Sequence, residues 1–473
     1  MTGHLTHPEH VLAVKTASGA RRSRAVGLLA AMLAWSVFAV GGAYVWGGAP
    51  IIAAAALLAV VARPRPAAAS ETRLLDATLV AGLLLAAVPL VPLPPSARSL
   101  LSPQADAVRS ALSLLPDAGW RPLSLAPGAT AYALGLIAAA VIVFWSARQT
   151  CGRGATRSLA FAIAAIGLVA ALVALLSRSG DPRLIYGRWL PQDEEARPFG
   201  PFVNRNHFAT WILMAFPLAA GHVSARIAAH RPRTRVGSEV AAWLRALGST
   251  DLWAAVAGAV MTVSLIAAAS RSGLIAFGAA LACGVWIGRR RFGRLAWLCG
   301  LAGLSLLGVV VMAYANFEPV LLRIEETIDS GAGARPAIWR ESAGIARDFW
   351  LVGTGLGGFQ TAMLVYQQMD RAWFINQAHN QYLQWLAEGG LLLAVPALVA
   401  LVAFVRLFLA RLARDTSALV WLRVGGAMAL VGAAVQGIWE TGLRMPANGL
   451  LFAMAAAIAV HRPEDAGPHE SSE

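Results

Sequence analysis

Charge is scarce in this chain. Aspartate, glutamate, lysine and arginine make up 14% of its 473 residues, against 58% hydrophobic residues, and the apolar residues come in long blocks. That balance excludes an ordinary soluble fold and indicates an all-α polytopic membrane protein. Cysteine is nearly missing as well. Cys151, Cys283 and Cys299 lie in or beside apolar runs at spacings that suit neither a metal nor a redox pair, so no disulfide framework is implied. There is no Walker sequence, no zinc-spaced pair of Cys or His and no G-x-S-x-G elbow, and Gly355-Leu356-Gly357 lacks the flanking strand of a dinucleotide fold. Carboxylates inside the apolar runs, the usual mark of an ion-coupled pump, are almost absent, since Asp76 and Asp251 fall at run ends. This counts against a small-solute transporter, the alternative class that such spans suggest.

What is present is a series of runs of spanning length or nearly so. They fall at 25–45, 48–62, 74–92, 128–147, 156–177, 206–224, 251–270, 272–288, 295–314, 389–409, 419–438 and 446–460, about 12 transmembrane helices. The expected organisation is a cytoplasmic tail 1–24, nine spans within 25–314, a large outward loop 315–388, three spans within 389–460 and a cytoplasmic tail 461–473. Outward loops also occupy 93–127 and 178–205. With the N-terminus cytoplasmic, the outward segments hold fifteen arginines and fifteen acids, so the whole net charge of +14 lies inward or within a span. This positive-inside bias explains the basic character without a nucleic-acid partner, and contact with anionic headgroups is a by-product.

The large loop is patterned. Ile338, Ile345 and Phe349 recur at helical spacing, Gly353-Thr354-Gly355-Leu356-Gly357-Gly358 breaks the chain, and a second helical segment runs through Met363 to Met369. A third begins after His379 and leads into the span at 389. An imidazole on such a rigid support near a membrane surface is suited to taking a proton, although a surface histidine at a helix start is the plainer reading. Asn380 is placed either to orient a sugar hydroxyl or to cap the helix. Arg271 is the lone charge in the break between two apolar runs, and it is either a snorkelling residue that marks the turn or a bidentate holder of phosphate on the outward face. Asn204, Arg205, Asn206 and His207 form a dense set of donors where the sixth span begins, suited to a diphosphate or a sugar, or simply an ordinary span entrance anchored by polar residues. Arg335, Trp339 and Arg340 add cations and an aromatic face, or simply a solvated helix surface. The run Asp193-Glu194-Glu195 is read as solvated rather than as a cation site, and no metal or other cofactor is expected.

Taken in order, Ser270-Arg271-Ser272-Gly273, Ala334-Arg335-Pro336-Ala337-Ile338-Trp339, Gly353-Thr354-Gly355-Leu356-Gly357 and His379-Asn380-Gln381-Tyr382-Leu383 resemble the O-antigen ligase and O-antigen polymerase superfamily. The motifs cover roughly residues 200–400, and the topology covers the whole chain. The resemblance implies a metal-independent, inverting glycosyltransferase of the bacterial inner membrane with its active site facing the periplasm. Its donor would be an undecaprenyl-diphosphate-linked glycan, and its acceptor hydroxyl would lie on a lipid or a growing glycan. Transfer to protein is the variant reading. Position by position, His379 matches the family's proposed base, Arg271 matches an arginine proposed to hold the diphosphate, and Arg205 matches a second. The Asn-Arg-Asn-His setting of Arg205 is closer to exopolysaccharide polymerases, which leaves ligase and polymerase both open. A diphosphate leaves without protonation, so no carboxylate pair is required of this sequence.

Overall fold

The computed structural model describes residues 8–66, 69–113, 119–151, 154–192, 196–229, 248–289, 291 and 334–462. The expected span 295–314, Asp193-Glu194-Glu195, Cys299, residues 315–333 and the tail beyond Arg462 lie outside the described residues. The described residues are mostly helical. In order, the helices are α1 (Pro8–Phe38), α2 (Val45–Ala62), α3 (Arg73–Ala87), α4 (Pro95–Leu101), α5 (Pro103–Leu112), α6 (Pro127–Thr150), α7 (Ala155–Ser177), α8 (Arg205–Ala229), α9 (Ser249–Ala267) and α10 (Arg271–Gly288). They continue with α11 (Ala334–Asp348), α12 (Phe359–Tyr366), α13 (Gln381–Arg414), α14 (Val420–Gln436) and α15 (Pro446–Ala459). Among the described residues eight helical segments are long and apolar enough to cross a membrane, namely α2, Ser70–Leu90, α6 to α10 and α13, while α14 and α15 are shorter apolar helices.

The first helix differs from expectation at both ends. It starts at Pro8, within the expected tail, and stops at Phe38 rather than 45. It stops because Val40, Gly41 and Gly42 all take left-handed backbone angles that a right-handed helix does not tolerate. Helix α8 is the centre of the bundle. From His207 to Ala215 every residue is buried, and α7, α9, α10, α14 and α15 pack around it. Small residues bring α14 close to α8: a side chain on Gly425 would meet the Pro217 carbonyl oxygen at 2.4 Å, and one on Gly221 would meet the Trp421 carbonyl oxygen at 2.6 Å.

Polar contacts gather at the two ends of this bundle. At one end Asp76 accepts from Trp145 and Arg148, Asp251 accepts from Arg226, and Arg423 and Asp415 form a fully buried pair at 2.7 Å. At the other end the connections before α6, before α8, after α14 and through α11 to α13 converge.

The large loop is fixed to the bundle through a kink. Gly390 interrupts α13 with φ 52 and ψ −157, separating the short stretch after His379 from the long apolar segment. The amides of Leu391 and Leu392 on the far side of the kink donate to the carbonyls of Trp350 and Leu351. On the near side, Thr354 and Gly355 donate to the carbonyls of Ala387 and Glu388. A side chain on Gly353, whose φ is 75, would lie 2.2 Å from the Glu388 carbonyl oxygen. Gly353→Ala therefore combines an unfavourable backbone angle with a backbone clash, and is expected to destabilise the protein by about 3 kcal/mol or more. Gly344→Ala, inside α11 with its nearest neighbour atom at 3.7 Å, is expected to stabilise it by about 0.5–1 kcal/mol. Thermal unfolding of both variants in detergent checks the contrast.

Candidate functional site

The site grows out of three short polar segments that meet where α8, α13 and α14 have their ends. Asn204 opens α8, its Oδ1 accepting from the Asn206 amide at 2.8 Å, and Arg205 is anchored by its own amide on the Arg197 carbonyl. Asn380 caps α13, its Oδ1 accepting from Tyr382 and Leu383 at 3.0 Å each. The capping alternative is thus the one realised for its oxygen. Gln384 accepts from the Ala378 amide at 2.7 Å and donates to Glu388 at 2.8 Å, which fixes the chain just before His379. The Gln381 amide donates to the Gly437 carbonyl at 2.7 Å, tying the start of α13 to the end of α14.

His379 itself has φ 48. Histidine tolerates this left-handed region better than most side chains, but it remains uncommon and costs on the order of 1 kcal/mol or more. The ring is held where it is by its neighbours' hydrogen bonds. Its Nδ1 lies 3.7 Å from Oε2 of Glu440, longer than a hydrogen bond, and the pair becomes a charge contact only when the imidazole is protonated.

Glu440 is the hub. Its side chain is 1% exposed, and Oε1 accepts from Arg335 at 2.7 Å and from Asn206 at 2.6 Å. Burial pushes this carboxyl up, but the imidazole of His379 and the charges of His207, His379 and Arg335 outweigh it, and the net direction is below the ordinary value of 4.5. The linked stability is fully present above that ordinary value and is lost as pH falls through the lower folded one. The melting temperature of the wild type is therefore expected to fall more steeply than that of Glu440→Gln on acidification below about pH 4.5, as a paired titration of unfolding in detergent would read.

Around the hub lies a concentration of buried side-chain atoms with no hydrogen-bond partner among the described residues. Both ring nitrogens of His207, Nε1 of Trp339, Nδ1 of His379, Nε2 of Gln381, Oε1 of Gln436, Oε2 of Glu440 and Oδ1 of Asn448 are all in this condition. Buried polar atoms are nearly always paired in a folded protein, so such a gathering marks a place built for something other than stability. Other groups there are engaged. Gln436 donates to the Asn206 carbonyl, Asn448 to those of His207 and Gly442, and Thr441 bonds Gln377.

The structure thus brings His379, Asn206, His207 and Arg335 to one carboxylate. Trp339 lies one helical turn beyond Arg335 on α11, while Arg340 is exposed. Arg271 is at the same end of the bundle, because the Cβ position of Gly273 falls 2.9 Å from Ala209 on the first turns of α8. Its side chain is exposed. Among the described residues no group of three His, Cys, Asp or Glu side chains is placed to hold a metal ion. Sequence reasoning missed Glu440, Gln436 and Asn448. The available signal was a carboxylate, Glu440, four residues from Arg444 in the short interval between two apolar runs.

Residues 256–398 match the family model described as O-antigen ligase. The chain carries an O-antigen ligase domain. The matched segment runs from the middle of α9 to the apolar part of α13 and contains Arg271, Arg335, Trp339, His379 and Asn380. Asn204 to His207 and Glu440 lie outside it. Together with the apolar helices, the match describes a multi-pass membrane enzyme of the O-antigen ligase and polymerase type, acting in polysaccharide biosynthesis. No curated protein matches the chain.

Proposed function

We propose that the protein transfers a glycan from an undecaprenyl-diphosphate carrier to an acceptor hydroxyl at the periplasmic face of a bacterial inner membrane. The observation that carries this reading is His379, held in a left-handed conformation inside the O-antigen ligase domain, with Nδ1 turned to the buried carboxylate of Glu440. A ring so oriented presents Nε2 to a hydroxyl, takes its proton as the glycosidic bond forms, and shares the resulting positive charge with Glu440. The diphosphate leaves from the opposite face of the sugar, which inverts the anomeric centre. It needs no general acid, and the reaction asks only that negative charge developing on the departing oxygen be neutralised. Arg271 and Arg205 supply that charge from the same end of the bundle, without a metal ion.

The expected twelve-span topology with a cytoplasmic N-terminus agrees with this placement, since it would put the balanced segments outside and the basic excess inside. Under it, a lipid-borne donor reaches the site by diffusion within the membrane. The Asn-Arg-Asn-His setting at the start of α8 resembles that of exopolysaccharide polymerases, and on that resemblance a growing polysaccharide chain is taken as the acceptor.

The test is the surface glycan profile of a deletion strain complemented with wild type or with His379→Ala. A polymerase leaves single repeat units attached and loses long chains in the deletion, and His379→Ala does not restore them. An unchanged profile in the deletion contradicts the reading. Loss of all attached glycan keeps the transferase and reassigns it as a ligase.

A further inference from the structure

At the end of the bundle away from the candidate site, α7 and α9 leave a cavity of about 180 Å³ between them, lined by Phe161, Ala165 and Leu168 on α7 and by Trp253 and Ala257 on α9, with further alanines. Every lining side chain is apolar, and Ala165 and Trp253 are exposed on its open side. Within a bilayer this groove faces hydrocarbon.

One helical turn before Phe161 on the same face of α7 is Arg157, so its half-buried side chain lies next to the groove on the side of the helix N-terminus, where the membrane surface is. Among the described residues Arg157 forms no ion pair, and its Nε is buried with no hydrogen-bond partner. The residues beside it do not supply one. The Asp251 carboxylate is taken up by Arg226 at 3.0 Å, by the Gly248 amide at 3.2 Å and by His222 Nε2 at 3.3 Å. His222, whose ring centroid is 6.1 Å from that of Phe161, lies within charge range of Arg157 and has its Nδ1 buried and unpartnered. A half-buried cation with no ion pair among the described residues thus lies one helical turn from an apolar slot that opens to lipid.

We propose that this groove holds an acyl chain of an anionic phospholipid from the leaflet opposite the candidate site, with the lipid phosphate on Arg157. The slot supplies the apolar contact, and the guanidinium supplies a charge-assisted hydrogen bond to phosphate that a zwitterionic headgroup weakens through its own ammonium. Because α9 leads directly to the Ser270 turn that carries Arg271, an occupant here braces the helix that presents that arginine.

The experiment is native mass spectrometry of the detergent-purified protein equilibrated with equimolar phosphatidylglycerol and phosphatidylethanolamine. Wild type is expected to retain one phosphatidylglycerol, preferred by about fivefold. Arg157→Gln is expected to retain the two lipids equally, and Ala165→Trp, which fills the slot from its exposed side, to retain neither. Melting curves of the variants confirm that the fold is intact. Should Ala165→Trp not fold, the preference measured with Arg157→Gln still decides. The proposal is overturned if wild type shows no preference, if Arg157→Gln keeps it, if millimolar glycerol 3-phosphate displaces the lipid, or if undecaprenyl phosphate is retained in its place.

Discussion

Glu440→Gln is expected to lower the rate of glycan transfer on the order of a hundredfold or more while leaving the protein folded. The glutamine preserves shape and one acceptor oxygen, so Asn206 and Arg335 keep a partner, and Arg335 is 42% exposed and can turn to water. What is lost is the negative charge 3.7 Å from the Nδ1 of His379. An imidazole that takes a proton in the transition state becomes cationic, and a buried carboxylate beside it stabilises that form selectively; losing the equivalent charge in acyl-transfer triads costs about ten-thousand-fold. The contact here is longer than a hydrogen bond, which places the expected effect below that limit. Radiolabelled transfer by the purified variant, set beside its melting temperature, separates the two effects. A rate within about twofold of wild type would remove Glu440 from the mechanism.

His379→Gly is expected to abolish transfer without destabilising the protein. Removing a general base typically costs on the order of a hundred- to ten-thousand-fold. Alanine would leave the backbone at φ 48, where a Cβ is unfavourable, whereas glycine adopts that angle freely. The relief offsets the extra chain entropy of glycine, so stability should change by no more than about 1 kcal/mol. Since the ring makes no hydrogen bond through Nδ1, little native bonding is lost. A large fall in melting temperature for His379→Gly would show that the imidazole is structural.

Much of the architecture was legible because it follows from hydrophobicity alone. The helix starts of α6, α7, α8, α9 and α10 fall within two residues of the expected runs, since a span is announced by its own composition. The histidine was legible for a related reason, as a polar residue on the shoulder of a helix entering the membrane. Elements that depend on two distant segments were not. The glycine run at 353 was visible as a break, but its seat in the kink at Gly390 requires the Trp350 and Leu351 carbonyls, some forty residues earlier. The second loop helix lies at Phe359–Tyr366 rather than Met363 to Met369, because it starts as soon as the glycines end. Glu440 stayed hidden because a lone acid in a short connection looks like any solvated loop residue. Only the fold shows that this connection is covered by α8, α11 and the approach to α13.

Arg271 illustrates the same limit. Its position in a turn between two apolar runs was evident, and the packing of Gly273 on Ala209 puts it at the same end of the bundle as the start of α8. Its exposed side chain is free to swing toward a diphosphate, which fits a residue that neutralises charge on a departing group rather than one that builds the site.

That His379 and Glu440 work as one unit is tested most directly by a double-mutant cycle on the transfer rate. Wild type, His379→Gly, Glu440→Gln and the double variant would be compared in one reconstituted assay with a lipid-diphosphate-linked donor. If the carboxylate acts through the imidazole, the double variant is no slower than His379→Gly alone, the non-additivity expected of residues that share one step. Losses that multiply, with the double variant slower than His379→Gly by the full Glu440→Gln factor, would contradict the account.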